Sequence, residues 1–380
     1  MKKVCLISGS SPEFLGGISL FQKNFIDYAE KSNLGLDFTW IYPGNKNRVY
    51  NLGSLNCVEL ETTNIPFLKE LNFAKKSKKY LKENIFDIIN THADWGAGLK
   101  NYSKKSNQKI IHTYHGASVP YLKIQIKQFF FLKRLFLQPV IWISYYLEKI
   151  PYKRADKIIC VSEKVKRDLE KLYGKRQSIS VIRTGVDTKK FKSSPKDKSR
   201  KELGLNQNKI YGLYSGRGGY WIKGLDRAVN ISKEIYKENK NFRLIVIGAA
   251  KNKCARYLEE PFIIHKDVVA RKNLQKYYSV CDFFFALSRY EGGAPTLAVG
   301  EAMASGCLII FSKDSKQEII ENNKNGLVIN TFGKESANRI FGILKNKRKL
   351  KDIKASAIEG IKKFGLNEWG KKYFRIVGFK

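Results

Sequence analysis

Short apolar runs that end on a polar residue recur along the chain, and segments with apolar residues three and four apart lie between them. The runs at 4–8, 87–92, 109–116, 157–162 and 179–182 read as buried strands. A loop over 9–17 closes on Gly16-Gly17, and 18–29 carries apolar residues at helical spacing. Ser162 is placed to cap a helix that runs to Tyr173 and that Gly174 ends. A polar, proline-containing stretch at 192–198 reads as a linker, and a second set of strands follows at 209–215, 243–248, 261–265, 282–287 and 307–311. Strands alternating with helices predict an α/β protein with a parallel sheet in each half. The expected division is 1–195 and 196–364. No internal repeat of fixed short period is visible.

Length and charge narrow the classes. A chain of 380 residues exceeds one ordinary core, and 43% apolar content is enough to fill two. The formal net charge of +37 would attract nucleic acid, anionic lipid or phosphorylated substrates, or it is simply a solvated lysine coat. The six cysteines are scattered with no Cys-x-x-Cys pair, which suits buried reduced thiols. The four histidines do not fall at zinc-ligand spacing from them, so no metal site is expected. The N-terminal apolar run reads as a first strand, being too short for a signal peptide. The uncharged run at 135–147 is shorter than the roughly 20 residues that span a bilayer.

Two segments of the second half carry chemistry. Residues 215–226 begin where a strand ends, and Arg217 and Lys223 flank a glycine-rich loop. Two cations there can neutralise a departing diphosphate without a metal, and the chain holds no Asp-x-Asp clamp for a nucleotide-bound ion. Residues 288–306 place Glu291 before the turn Gly292-Gly293-Ala294-Pro295-Thr296 and Glu301 in the helix after it. Such a turn lets backbone N–H groups face an anion, while the carboxylates can hold sugar hydroxyls.

In the first half, Gly16 and Gly17 would let a helix start approach phosphate. They do not make a dinucleotide fingerprint. His115, at the tip of its strand, is placed to hydrogen-bond a sugar hydroxyl or is a satisfied structural histidine. His92 repeats the arrangement at another tip. His112 and His265 are assigned no chemistry. The stretch 121–154 mixes lysine and arginine with Phe129, Phe130, Phe131, Phe136, Trp142, Tyr145 and Tyr146, and Glu148 is its only acid. That mixture suits an anionic membrane surface, single-stranded nucleic acid, or a helix pair with one solvated face.

In this order and spacing, the glycine loop at 16–17, Asp87–His92, Thr113-Tyr114-His115-Gly116, residues 155–163, 181–187, 215–226 and 301–306 make the sequence resemble the retaining glycosyltransferases of the GT-B fold, family 4. The resemblance implies two Rossmann-like domains with a cleft between them, and a last helix at 365–380 that crosses back onto the N-terminal domain. It implies that Arg217 and Lys223 hold the donor diphosphate, that Glu301 holds the ribose, and that His115 lies near the donor sugar. Gly16 and Gly17 would lie beneath the phosphates, and Gly293, Ala294, Pro295 and Thr296 would line the donor turn. The family's Glu-x7-Glu motif has Gly293 at its first position here, so Glu291 is expected to reach the sugar instead.

The expected function is transfer of a hexose-type sugar from a nucleotide diphosphate sugar, uridine by default, to a hydroxyl of a lipid-linked glycan or glycolipid. The enzyme would need no cofactor or metal and would not act on nucleic acid. It would be cytoplasmic and peripheral on the inner face of the cytoplasmic membrane. A soluble acceptor is the enzymatic alternative. A basic nucleic-acid-binding protein or an inactive scaffold is the alternative of another class.

Overall fold

Val4, Cys5, Leu6 and Ile7 are almost wholly buried, and around this first strand the N-terminal sheet is built. The structure, a computed structural model, describes residues 1–14, 16–65, 68–216, 219–248, 251–315 and 318–379, without the side chains of 251–253. The chain forms two compact units, Met1–Gly185 with Leu366–Lys380, and Val186–Gly365.

The first unit holds β1 (Lys2–Ile7), β2 (Leu36–Gly44), β3 (Arg48–Leu52), β4 (Leu55–Glu61), β5 (Ile88–His92), β6 (Lys109–Tyr114), β7 (Lys157–Cys160) and β8 (Ile179–Val181). Their order is β3-β4-β2-β1-β5-β6-β7-β8, parallel except for the β3–β4 pair. The order reverses direction between β1 and β5, which places the loops after these strands at a topological switch point. The second unit holds β9 (Ile210–Ser215), β10 (Phe242–Ile247), β11 (Ile263–Lys266), β12 (Phe283–Ala286), β13 (Leu308–Ser312) and β14 (Leu327–Ile329). Their order is β11-β10-β9-β12-β13-β14, and each pairing is parallel. Here the switch point lies between β9 and β12. Runs such as Phe283-Phe284-Phe285 are buried on both faces, as expected for strands with helices packed on each side.

The cap signals around Ser162 hold in detail. The helix Glu163–Tyr173 has Ser162 as N-cap, its hydroxyl accepting from Val165 N, and Gly174 at φ 91° as C-cap. The polar 192–198 stretch is not where the units part, because the division falls upstream, after Gly185. The side chains of that stretch tie it to the second unit. Ser194 Oγ donates to Ser279 Oγ at 2.8 Å, and Lys196 pairs with Asp282 at 2.5 Å. The hairpin β3–β4 was not anticipated, since β3 is largely exposed and lacks an apolar alternation. It is held partly by charge, with Arg48 Nε 2.5 Å from Glu59 Oε2.

The C-terminal helix Leu366–Val377 belongs to the first unit. Trp369, Tyr373 and Phe374 are buried there. Phe374 stacks on Phe25 with centroids 4.5 Å apart. Tyr373 Oη accepts from Asn90 Nδ2 at 3.1 Å and lies 2.8 Å from Thr113 Oγ1. Tyr373→Phe leaves these buried polar atoms short of a partner, at a cost of about 1–2 kcal/mol. The expected result is a lower thermal midpoint, by roughly 2–4 °C per kcal/mol for a unit of this size. An unchanged midpoint would show that the hydroxyl does not help to seat this helix.

Candidate functional site

The site of the second unit grows from two neighbouring strand ends. β9 ends at Ser215, and the chain returns to start the helix Leu225–Glu238 after Gly224. Gly224 has φ +75°, and a Cβ there would lie 2.2 Å from the Leu287 carbonyl oxygen. Only glycine permits this approach of the two loops. β12 ends at Ala286, and Ser288, Arg289 and Glu291 follow. Lys223 Nζ donates to Glu291 Oε1 at 2.8 Å, and Ser288 Oγ donates to the same oxygen at 2.6 Å. Arg217 lies outside the described residues.

Two arginines fix the surroundings. Arg289 makes a bidentate pair with Asp226, at 2.8 and 2.6 Å, and its guanidinium lies 4.0 Å from the Trp221 ring centroid. Arg227 donates to the Leu287 carbonyl at 3.2 Å and to Ser312 Oγ at 3.1 Å. Sequence reasoning gave no role to Asp226, Arg289 or Arg227. Their one signal was adjacency to Lys223 and to the end of β12.

Gly293, Ala294, Pro295 and Thr296 form the turn into the helix Leu297–Ala304, whose N-cap is Thr296, its hydroxyl accepting from Val299 N at 3.4 Å. Glu301 lies in that helix and is 2% exposed. Burial pushes its carboxyl up, and the nearby Arg271 opposes the shift. Tyr278 Oη donates to Glu301 Oε2 at 3.2 Å. Arg271 Nη2 is 2.6 Å from Oε1, a close charge pair inside the unit. Arg271, which is remote in sequence, was not anticipated.

The first unit gathers its candidates at the tips of β1, β5 and β6. Gly16 is the N-cap of the helix Gly17–Lys31, and the space where a Gly17 side chain would stand is open. Phe21, one turn later, meets the His115 ring edge-on at 4.8 Å and the His92 ring at 5.9 Å. The helix start therefore lies beside the two histidines. His92 Nδ1 and His115 Nε2 are 3.0 Å apart, so one ring donates to the other. Burial lowers the His115 pKa to about 3 and takes His92 well below its ordinary value, where His115 also contributes. Both imidazoles are neutral near pH 7. His112 is buried under them, with Nδ1 2.6 Å from Thr91 Oγ1.

The loop after His115 is anchored from beneath. Ser118 N donates to Glu148 Oε1, and Tyr173 Oη donates to Glu148 Oε2, each at 2.8 Å. Burial, reinforced by Asp94, pushes the Glu148 carboxyl up to about 8. The only acid of the basic–aromatic stretch is thus an internal anchor. Much of the rest of that stretch faces outward, with Phe131 75%, Phe136 81% and Trp142 72% exposed. Among the described residues no helix is long and apolar enough to cross a membrane.

Comparison with known proteins gives the same assignment across both units. Residues 15–190 match the family model described as Glycosyltransferase Family 4, and 195–360 match Glycosyl transferases group 1. An uncharacterized glycosyltransferase of Methanocaldococcus jannaschii is 26% identical over 79% of this chain and 80% of its own. The UDP-Gal:alpha-D-GlcNAc-diphosphoundecaprenol alpha-1,3-galactosyltransferase of Escherichia coli is 24% identical over 76% and 80%. Among solved structures, sucrose-phosphate synthase of Thermosynechococcus elongatus superposes with a TM-score of 0.81 at 18% identity, covering 99% of this chain and 98% of that one. HepE of Anabaena, in complex with UDP and glucose, gives 0.72 at 17% identity with 99% of each chain covered. The chain belongs to family 4 of the GT-B glycosyltransferases and is a transferase of that fold.

Proposed function

We propose that the enzyme moves a hexose-type sugar from a uridine diphosphate sugar to a hydroxyl of a lipid-linked glycan or glycolipid, with retention of anomeric configuration. The observation that carries the donor half is the Lys223–Glu291 contact at the switch point between β9 and β12. Lys223 is a partly exposed ammonium, held in place by a carboxylate that an incoming diphosphate can displace. Lys223, with Arg217, then bears the charge that develops on the leaving diphosphate. The bond from the anomeric carbon to the diphosphate oxygen breaks, the acceptor oxygen bonds to that carbon, and the leaving phosphate oxygen takes the acceptor proton. Glu291, once released, holds a sugar hydroxyl. Glu301, paired with Arg271 in the helix after the donor turn, accepts from the ribose. His115, neutral and fixed by His92, hydrogen-bonds the donor sugar. HepE, which was solved with UDP and glucose, supports the choice of nucleotide.

The acceptor half rests on the outward-facing aromatic residues interleaved with Lys127, Lys133 and Arg134, and on the net charge of +37. The E. coli relative named for a diphosphoundecaprenol acceptor points the same way. These features support a peripheral position on an anionic leaflet, on the cytoplasmic side.

Lys223→Ala is expected to lower kcat/KM for UDP release from the donor by about 10²–10³-fold. Glu301→Gln should raise the donor KM about tenfold with kcat nearly kept, about 1.4 kcal/mol of uniform binding. Wild-type kinetics in the lysine variant would remove the proposed diphosphate site. In the pH–rate profile, His115 remains neutral as pH falls through 6.5, because its folded pKa is lowered to about 3. No acid limb near pH 6.5 is therefore expected, and an inflection there would contradict the neutral imidazole. In flotation at about 0.1 M salt, the protein should rise with phosphatidylcholine vesicles containing phosphatidylglycerol, and binding should weaken as salt screens the charge. Absence of binding to the anionic vesicles would remove the membrane-bound acceptor.

A further inference from the structure

A groove of about 170 Å³ lies on the flank of the first unit. It runs between the helix Leu68–Glu83, the 3₁₀ stretch Ala93–Leu99 and the helix Gln138–Arg154. Its existence follows from small residues. Gly98 is pressed so close to the first of these helices that a Cβ would lie 2.6 Å from Ser77 Oγ and 3.0 Å from the Ala74 carbonyl oxygen. Ala74 and Ala97 add methyl groups only, and the buried Leu147 closes the floor. Leu71 and Tyr146 form half-exposed walls, at 46% and 47% exposure.

The rim has a different chemistry. Lys75, Lys78 and Lys100 line it, no acid does, and none of the three is ion-paired among the described residues. Lys100 Nζ lies 5.0 Å from the Tyr146 ring centroid, which keeps its charge at the edge. An apolar floor under three unpaired cations does not suit a free sugar or a nucleotide, whose polar groups would find few partners there. It does not suit an extended peptide, whose backbone groups would be left unpaired. It fits a molecule with a hydrocarbon tail and a strongly anionic head. Trp142 and Ile143 are exposed one turn before Tyr146 on the same helix, so the apolar wall continues outward. The 3₁₀ stretch begins directly after His92. The 3₁₀ wall of the groove is thus continuous in the chain with the His92–His115 pair.

We propose that this groove seats the lipid diphosphate of the acceptor, with the first units of the hydrocarbon chain on Ala74, Ala97, Gly98 and Leu147 and the diphosphate on Lys75, Lys78 and Lys100. The proposal deepens the acceptor reading above and rests on it. The test is isothermal titration of the full chain with farnesyl diphosphate, at saturating UDP so that the donor site is filled, with farnesol and inorganic pyrophosphate as separate arms. Farnesyl diphosphate is expected to bind at least tenfold more tightly than either. The triple substitution Lys75→Glu, Lys78→Glu, Lys100→Glu should weaken it at least tenfold, and so should Ala74→Trp, which fills the groove without changing charge. A matched triple substitution in the second unit, Lys345→Glu, Lys347→Glu, Lys349→Glu, alters net charge equally and should leave binding unchanged. Equal weakening by both triples would show bulk charge at work and overturn the site, as would pyrophosphate binding as tightly as farnesyl diphosphate. Wild-type binding in both groove variants, in a protein that still floats with anionic vesicles, sinks the groove and spares the membrane reading. Groove-dependent binding in a protein that does not float sinks the membrane reading and spares the groove.

Discussion

The contact between Lys223 and Glu291 joins the two loops on which the proposed donor chemistry depends. It forms where the sheet order turns back between β9 and β12, so the two strand ends diverge and leave their loops facing each other. Each loop needs the other. Gly224 admits the Leu287 carbonyl only because it has no side chain, and the Arg289–Asp226 fork fixes the second crossing. A part-buried cation gains from a fixed counter-charge. Glu291 supplies that compensation in the empty enzyme, and an anionic ligand can take its place without leaving Lys223 bare.

The first unit solves a different problem. Its strand tips carry imidazoles, and burial keeps them uncharged where a proton would otherwise bind near pH 6.5. Phe21 contributes to that burial by packing edge-on against His115, and it also meets Trp369 of the C-terminal helix at 4.9 Å. The C-terminal segment, far away in sequence, is thus linked to the histidines through Phe21. Glu148 beneath the same loop accepts two hydrogen bonds, and burial raises its carboxyl above the ordinary carboxylate range.

Much of this was legible from residue order because it is local. Strand ends followed by polar residues, the Ser162 and Gly174 caps, and the glycine turns before 225 and 297 are all written within a few neighbouring positions. Of the unanticipated strands over 36–61, β3 is exposed and leaves no apolar period to read, whereas β2 and β4 are mostly buried and were missed despite their apolar residues. The separation after Gly185 was placed too late because polar composition marked the exposed stretch, while Ser194 and Lys196 are tied by contacts distant in sequence. His92 was read as a weaker copy of His115, yet the two form one hydrogen-bonded pair. Arg271 beside Glu301 and Asp226 beside Arg289 also join residues with no local signature. Glu291, two positions ahead of the family's usual glutamate, stands against Lys223, so the longer spacing still delivers a carboxylate to that cation.

The most direct measurement is a crystal structure of the protein with UDP bound. The account predicts the β-phosphate on Lys223 Nζ, the Glu291 carboxylate turned away from it, and the ribose hydroxyls on Glu301. An undisturbed Lys223–Glu291 pair, with the diphosphate bound at other residues, would contradict it.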